Sequence, residues 1–288
     1  MSRRRGAIIT IGDEVLNGST LDTNSHWLCT QIAGRGALVT TVVTVHDDPD
    51  AIKDALAYCI HTEPDLIFTI GGLGPTIDDR TVESVARALE LPLEINQAAI
   101  EYVQKRYCDL ESQEIVDRDV SASARNARKK MALLPTGAVP IYNPVGAAPA
   151  VVINTDDTMS VLCLPGVPAE VRAIVSRHAS GILERRLGSG FLRTMTIMTS
   201  TNDESVLAEA SAVLTREFVE VYVKTRPIRQ EGGKIGVTLT ASGNNQAKIG
   251  VLLDTAFQRL TVLLEEYGVS IVRCCVDDAD WRQLNNSL

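Results

Sequence analysis

The sequence has none of the spacings that hold structural zinc. Its six cysteines (29, 59, 108, 163, 274 and 275) include no CxxC, and its four histidines (26, 46, 61 and 178) include no HxxxH, so a zinc site is unsupported. Cys29, Cys59 and Cys163 fall beside periodic apolar positions and are expected as buried thiols. Positive charge is in deficit: 28 Lys and Arg stand against 36 Asp and Glu, for a net charge of −8. That balance argues against nucleic acid as the main partner. Long apolar runs are also missing, so no membrane span is expected. The basic start, Arg3-Arg4-Arg5, is followed only by Ala7 to Ile11 before Gly12-Asp13-Glu14. This is too short for the apolar region of a signal peptide, and cytoplasmic residence is expected.

An apolar fraction of 45% over 288 residues supplies a sizeable core for one large domain or two ordinary ones. The richest stretch is GGLGPTIDDRT, Gly71 to Thr81. Before it, Leu66 to Ile70 is a short apolar run of buried-strand type. After it, Val82, Val85, Ala86 and Leu89 recur on one face of a helix. A strand, a glycine-rich loop and a helix start together make a general phosphate site, because the first helical N–H groups lack internal partners. Asp78 and Asp79 sharpen this. One of Asp78, Asp79 or Thr81 is expected to cap the helix. A further carboxylate would repel a phosphate unless a divalent cation, Mg²⁺ or Mn²⁺, lies between them. The plainer alternative is a tight strand-to-helix turn with polar capping.

GGLGPTIDDRT resembles the signature loop of the molybdopterin-binding (MoaB/Mog) superfamily in its CinA form. The resemblance extends to GDEVLNG at Gly12–Gly18, DTN at Asp22–Asn24, KMALLPTGA at Lys130–Ala138, NPVGAAPA at Asn143–Ala150 and LPGVPAE at Leu164–Glu170. These six motifs lie in the family's order across nearly all of residues 6–175. NPVGAAPA departs from the family's GTAPG, with Ala147 in place of Thr and Ala150 in place of the last Gly; a hydroxyl and some backbone freedom are lost. The resemblance implies an α/β fold: a three-layer αβα MoaB/Mog-like domain and a second, smaller two-layer KH-like α/β domain. CinA proteins continue into an amidohydrolase domain acting on nicotinamide mononucleotide. The sequence stops before such a domain, so that activity is not expected.

Along the chain, residues 6–11 read as a strand delivering Glu14 to a strand's carboxyl end, where open α/β sheets bind ligands. A helix capped by Asp22 or Thr23, a strand over 37–45 and a helix over 50–61 follow, giving a parallel, doubly wound plan. Residues 96–130 read as irregularly helical, with Lys105, Arg106, Arg125, Arg128, Lys129 and Lys130 as a basic face from which one or two groups reach a phosphate. Residues 161–164 read as a strand, and a single helix follows from Pro168 through Ile182, with His178 packed on its apolar side; His26 is read as exposed or capping. Leu187 to Gly190 marks a boundary, dividing the chain into residues 1–187 and 188–288. The second part reads β-α-β-β-α-β, with a hairpin through Glu231-Gly232-Gly233 and a frayed tail over 274–288. Gly233-Lys234-Ile235-Gly236 fits the KH pattern GXXG, but it sits between strands and reads as a turn, not a nucleic-acid clamp.

The resemblance implies a metal-dependent nucleotide pyrophosphatase hydrolysing ADP-ribose, with a homo-oligomer expected. Asp79, Asp48 and Glu14 are the expected catalytic groups, and Asp79 and Glu14 the metal ligands. Gly12, Asp13, Gly71, Gly72, Gly74, Pro75, Thr76, Asp78, Lys130, Asn143, Gly146, Pro165 and Gly166 would contact a nucleotide or pterin phosphate. Two alternatives stay open. One is adenylylation of molybdopterin, with acids at Asp48 or Asp47 and at Asp79, although those relatives carry GGTG where this chain has GGLG. The other is a non-catalytic nucleotide-binding module, which the altered GAAPA favours.

Overall fold

The computed structural model describes residues 3–117, 121–155, 158–228 and 233–276. The chain forms two compact units, Met1–Ile32 with Ala37–Gly188, and Ala33–Gly36 with Ser189–Leu288.

In the first unit, β1 (Arg5–Ile11) leads through a one-turn helix α1 (Asp13–Leu16) to α2 (Thr23–Gly34) and β2 (Leu38–Val45). Next come α3 (Pro49–Ile60), β3 (Leu66–Ile70) and α4 (Thr81–Ala88). The short strand β4 (Leu93–Ile95), α5 (Gln97–Ser112), α6 (Ala122–Lys130) and β5 (Leu133–Pro135) follow. The unit closes with β6 (Val139–Ile141), β7 (Ala150–Asn154), β8 (Ser160–Leu164), α7 (Pro168–Arg177) and α8 (Ser180–Leu187). The main sheet runs β2-β1-β3-β8-β7-β6. Its first four strands are parallel, and β7 and β6 join antiparallel.

The strands β1, β3 and β8 read as unbroken apolar runs because both of their faces are covered. Ile9, Ile67 and Cys163 face a core shared with Ile52 and Leu56 of α3, Val85 of α4 and Val103 of α5. Their neighbours Ile8, Phe68 and Leu162 face the opposite core, with Leu28 and Ile32 of α2, Ile174 of α7 and Leu183 of α8. Helices on both faces of a mixed sheet make the three-layer α/β arrangement. The helix expected from Pro168 through Ile182 breaks at His178–Ala179 instead. Ala179 is the buried residue there, while His178 is exposed, its ring edge-to-face with Tyr142 at a centroid distance of 5.9 Å.

The second unit holds β9 (Phe191–Thr199), a 3-10 turn (Glu204–Leu207), α9 (Ala208–Glu217), β10 (Val221–Ile228), β11 (Lys234–Gly243), α10 (Gln246–Glu266) and β12 (Ile271–Val276). Its sheet runs β10-β11-β9-β12, antiparallel throughout. Ile197, Val237 and Leu239 pack with Leu207, Ala210, Leu214 and Leu260 in a core of its own. Lys234 to Gly236 lie in β11, paired to Ile228, Pro227 and Arg226 of β10, which is a strand context. Cys274 and Cys275, expected in the tail, are part of β12; residues 277–288 and the hairpin positions Glu231 and Gly232 lie outside the described residues. Among the described residues no helix is long and apolar enough to cross a membrane.

Candidate functional site

Parallel strands deliver their following loops to one sheet edge. At that edge β1, β3 and β8 end in Gly12-Asp13-Glu14, Gly71-Gly72 and Pro165-Gly166. A cavity of about 400 Å³ opens there, lined by Glu14, Asp47, Gly71 to Pro75, Asp78, Asp79, Met131, Ala147, Ala148, Pro165 to Val167 and Glu170, with Ile11 at its floor. The glycine loop forms one wall. Gly72 has φ +66°, and a Cβ on it would lie 2.3 Å from Thr81 Oγ1; that hydroxyl donates to Gly71 O at 2.8 Å. A side chain at position 72 would therefore be strained and would break the tie between loop and helix.

The two acids of the loop do different things, and neither caps α4. Arg80 occupies the cap position and makes no side-chain capping bond. Asp79 turns back on the loop instead. Its Oδ2 accepts from Thr76 N at 2.9 Å and from Thr76 Oγ1 at 2.6 Å, over a backbone kept bare at Gly74, where a Cβ would stand 2.5 Å from that oxygen. Asp78 also accepts from the Thr76 hydroxyl. That bond, its own backbone N–H and Lys130 hold the Asp78 carboxyl below the usual range. Lys130, at the end of α6, donates to Thr76 O and lines a second cavity of about 270 Å³ on the other side of Gly72–Gly74, walled mainly by Val82, Leu93, Leu133, Leu134 and Val151.

Asp48 is not at the cavity. Its Oδ1 caps α3, accepting from Asp50 N at 3.0 Å and Ala51 N at 2.9 Å, and Asp47 is the acid in the wall. The pattern Asp48-Pro49 carries that signal, since Pro favours the first helical position just after a cap. Asp47 Oδ2 accepts from Asp13 N at 3.0 Å. Burial first, then Glu14, Asp13 and Asp78, push the Asp47 carboxyl up against that bond. Asp13 itself is exposed and pairs with His46 Nδ1 at 2.5 Å. Gly12 ends β1 with its N–H on Val45 O at 3.1 Å.

The NPVGAAPA loop supports the opposite wall. Asn143 is 1% exposed. Its Oδ1 accepts from Val145 N and Gly146 N at 3.0 and 2.9 Å, which orients its amide nitrogen toward Ala148 O at 2.9 Å and Glu170 Oε2 at 2.6 Å. Arg106 is buried and donates to Val145 O at 2.7 Å and Gly146 O at 3.1 Å, with Asp109 at 3.2 Å. It holds the loop rather than offering itself to a phosphate. Lys105 lies over the Tyr142 ring, and Arg128 lies over Tyr107 and pairs with Glu111, while Lys130 reaches the glycine loop. Ala147 lines the cavity and Ala150 does not, being wholly buried at the start of β7.

Asn24 of the DTN motif donates to Gly166 O at 2.7 Å and fixes the turn after β8. Among the described residues no group of three or more His, Cys, Asp or Glu side chains is clustered for a metal ion. The cavity carries oxygen donors of the kind Mg²⁺ and Mn²⁺ accept, which take one or two carboxylates and complete their shells with phosphate oxygens and water.

A mixed sheet between two helical layers, with glycine and acidic loops at the parallel strands' carboxyl ends, is the architecture of MoaB/Mog-like domains. Residues 7–185 match the probable molybdopterin binding domain, and the chain belongs to that family, within the CinA type of the MoaB/Mog superfamily. A protein from Sulfurisphaera tokodaii is 31% identical over 92% of this chain and 97% of its own length. Another from Pyrococcus abyssi is 35% identical over 82% and 89%. The crystal structure of the CinA protein of Thermoplasma acidophilum, described as of unknown function, superposes with a TM-score of 0.55 at 32% identity, covering 63% of this chain and 98% of that one.

Proposed function

We propose that the protein is a metal-dependent nucleotide pyrophosphatase that hydrolyses ADP-ribose to AMP and ribose 5-phosphate. The observation that carries this reading is the charge of the cavity wall. Glu14, Asp47, Asp78, Asp79 and Glu170 line it together with the glycine loop, and among the described residues no basic side chain is in that lining. Such a wall repels a bare phosphate and suits a diphosphate carried with a divalent cation. Asp79 and Glu14 would hold the cation, with Asp47 in the place first expected for Asp48. The cation would neutralise phosphoryl charge and lower the pKa of a bound water. Backbone N–H groups of residues 72–74 would orient the phosphate, since Gly71 N donates to Leu164 O at 2.9 Å, while Thr76 holds Asp79 in place through its N–H and hydroxyl.

A second reading, adenylylation of molybdopterin, draws on the family's description and on the cavity beside Gly72–Gly74, whose lining is mostly apolar with Asp79, Glu83 and Lys130 among it. The two reactions give different products. Purified protein is incubated with Mg²⁺ or Mn²⁺ and either ADP-ribose or molybdopterin plus ATP. AMP and ribose 5-phosphate in equal amounts support hydrolysis, whereas adenylylated pterin without ADP-ribose turnover replaces it. A protein that binds these compounds and transforms none would be the non-catalytic module.

A further inference from the structure

We infer that Glu170 is the proton-accepting group of this cavity. The inference rests on the pyrophosphatase reading and names a residue that the motif comparison left without a role. Glu170 stands in the first turn of α7, and its carboxyl forms part of the cavity wall. The protein is shaped around it. A Cβ at Gly146 would lie 2.3 Å from Glu170 Oε2 and 2.5 Å from Oε1, so a side chain there would push the carboxylate away from the backbone it now packs against. Asn143, its amide orientation set by two backbone N–H donors, presents its nitrogen to Oε2 at 2.6 Å. Arg106 in turn clamps the carbonyls of residues 145 and 146. Oε2 is thereby engaged, and no described protein group donates to Oε1.

A half-buried carboxylate with one oxygen anchored and the other unclaimed at a cavity wall is costly for a purely structural tie. An alanine at this position would leave only Asn143 to satisfy. Burial pushes the carboxyl above its ordinary range, with Asn143 and then Arg106 acting in the opposite direction. The other charged groups around it are Glu14, Asp47, Asp78 and Asp79 across the cavity and Asp109 beside Arg106. All but Arg106 are acidic, so among the described residues the cavity offers Glu170 no second cation.

The chemistry balances without another reactant. A water oxygen forms the new P–O bond as the bridging P–O bond of the anhydride breaks. The electron pair leaves with the departing phosphate, which is already anionic and needs no proton. The proton released by the water passes to Glu170 Oε1 and from there to solvent.

The test is the pH profile of kcat and KM for ADP-ribose with saturating Mn²⁺, comparing wild type, Glu170→Gln and Glu170→Asp, with thermal melts of each. Gln keeps the shape and can still accept from Asn143. We expect wild type to gain kcat on an acidic limb lying above the ordinary glutamate range. Glu170→Gln should lose about a hundredfold in kcat, the usual loss on removing a general base, with KM little changed and the limb gone. Glu170→Asp should recover part of kcat and keep a limb, and it decides the matter if the Gln variant fails to fold. A Glu170→Gln enzyme that retains the limb, or whose loss lies wholly in KM, would overturn this role while leaving the pyrophosphatase reading intact. A wild type that hydrolyses no nucleotide diphosphate with either metal would overturn both.

Discussion

A carboxylate held out of water costs folding energy unless its partners repay it, and Glu170 is repaid only in part. Its carboxyl titrates higher in the folded chain than in the unfolded one, because burial outweighs Asn143 and Arg106. The folded state therefore keeps a proton that the unfolded state has already lost. By linkage, stability falls as pH rises from the ordinary glutamate value, about 4.3, through the higher folded value. Glu170→Gln removes this dependence. Melting temperatures of the two proteins should lie closest near pH 4 and separate as pH rises, with the Gln variant higher at pH 8. A constant gap across that range would show that the site costs the fold nothing. The same scale shows where sequence reading ended. Glu14, Asp79, Pro165 and Gly166 are placed at the cavity by motif alone. Of the neighbours Asp47 and Asp48, the resemblance points to Asp48, whereas Asp47 lines the cavity and Asp48 caps α3 ahead of Pro49. Glu170 closes the LPGVPAE motif, but nothing local marks it as a cavity acid, because its setting depends on Asn143 and Gly146, distant in sequence.

At the scale of elements, the DTN motif reads as structure. Asp22 Oδ1 accepts from Ser25 N at 2.8 Å and so caps α2, while Oδ2 accepts from Thr10 Oγ1 at 2.8 Å beneath the end of β1. The Thr10 hydroxyl also meets Ser25 Oγ at 2.7 Å. One carboxylate thus joins a helix start to the strand that presents Glu14. Asp22→Ala should cost about 1–2 kcal/mol, the upper range for a lost cap, read as a lower denaturant midpoint at unchanged slope. A change within ~0.3 kcal/mol, below the ordinary worth of a cap, would mean that Thr10 and Ser25 suffice. The long helices and the buried runs of β1, β3 and β8 were legible from periodicity. The three-residue strands β4, β5 and β6 were not, since so short a stretch shows no period. Pro140 further disguises β6, and it is tolerated there because β6 is an edge strand. The break at His178 was also hidden, because Ala179 continues the apolar pattern while the chain turns.

Over the whole molecule, two cores were foreseeable from one composition break followed by a complete second strand–helix pattern. Gly188, at φ +86°, stops α8 directly before the second unit begins at Ser189. Limited proteolysis should cut near residues 186–191 first and release two fragments, each with its own cooperative melt. First cuts elsewhere, or fragments that unfold on release, would show that the units do not stand separately. The charge pattern of the first unit leads to a more demanding test, because the pyrophosphatase reading makes Asp79 both the loop's anchor and the cation's partner. Metal-titrated turnover of ADP-ribose by the full chain, for wild type, Asp79→Asn and Asp78→Asn with melts alongside, examines this directly. Asn at position 79 can still accept from Thr76, so the fold should hold while kcat falls roughly a hundredfold or more and the metal requirement rises, as for a lost ligand or its outer partner. Asp78→Asn should be much milder. Equal and small effects from both substitutions would mean that the two acids merely shape the loop, and the metal–diphosphate site would be contradicted.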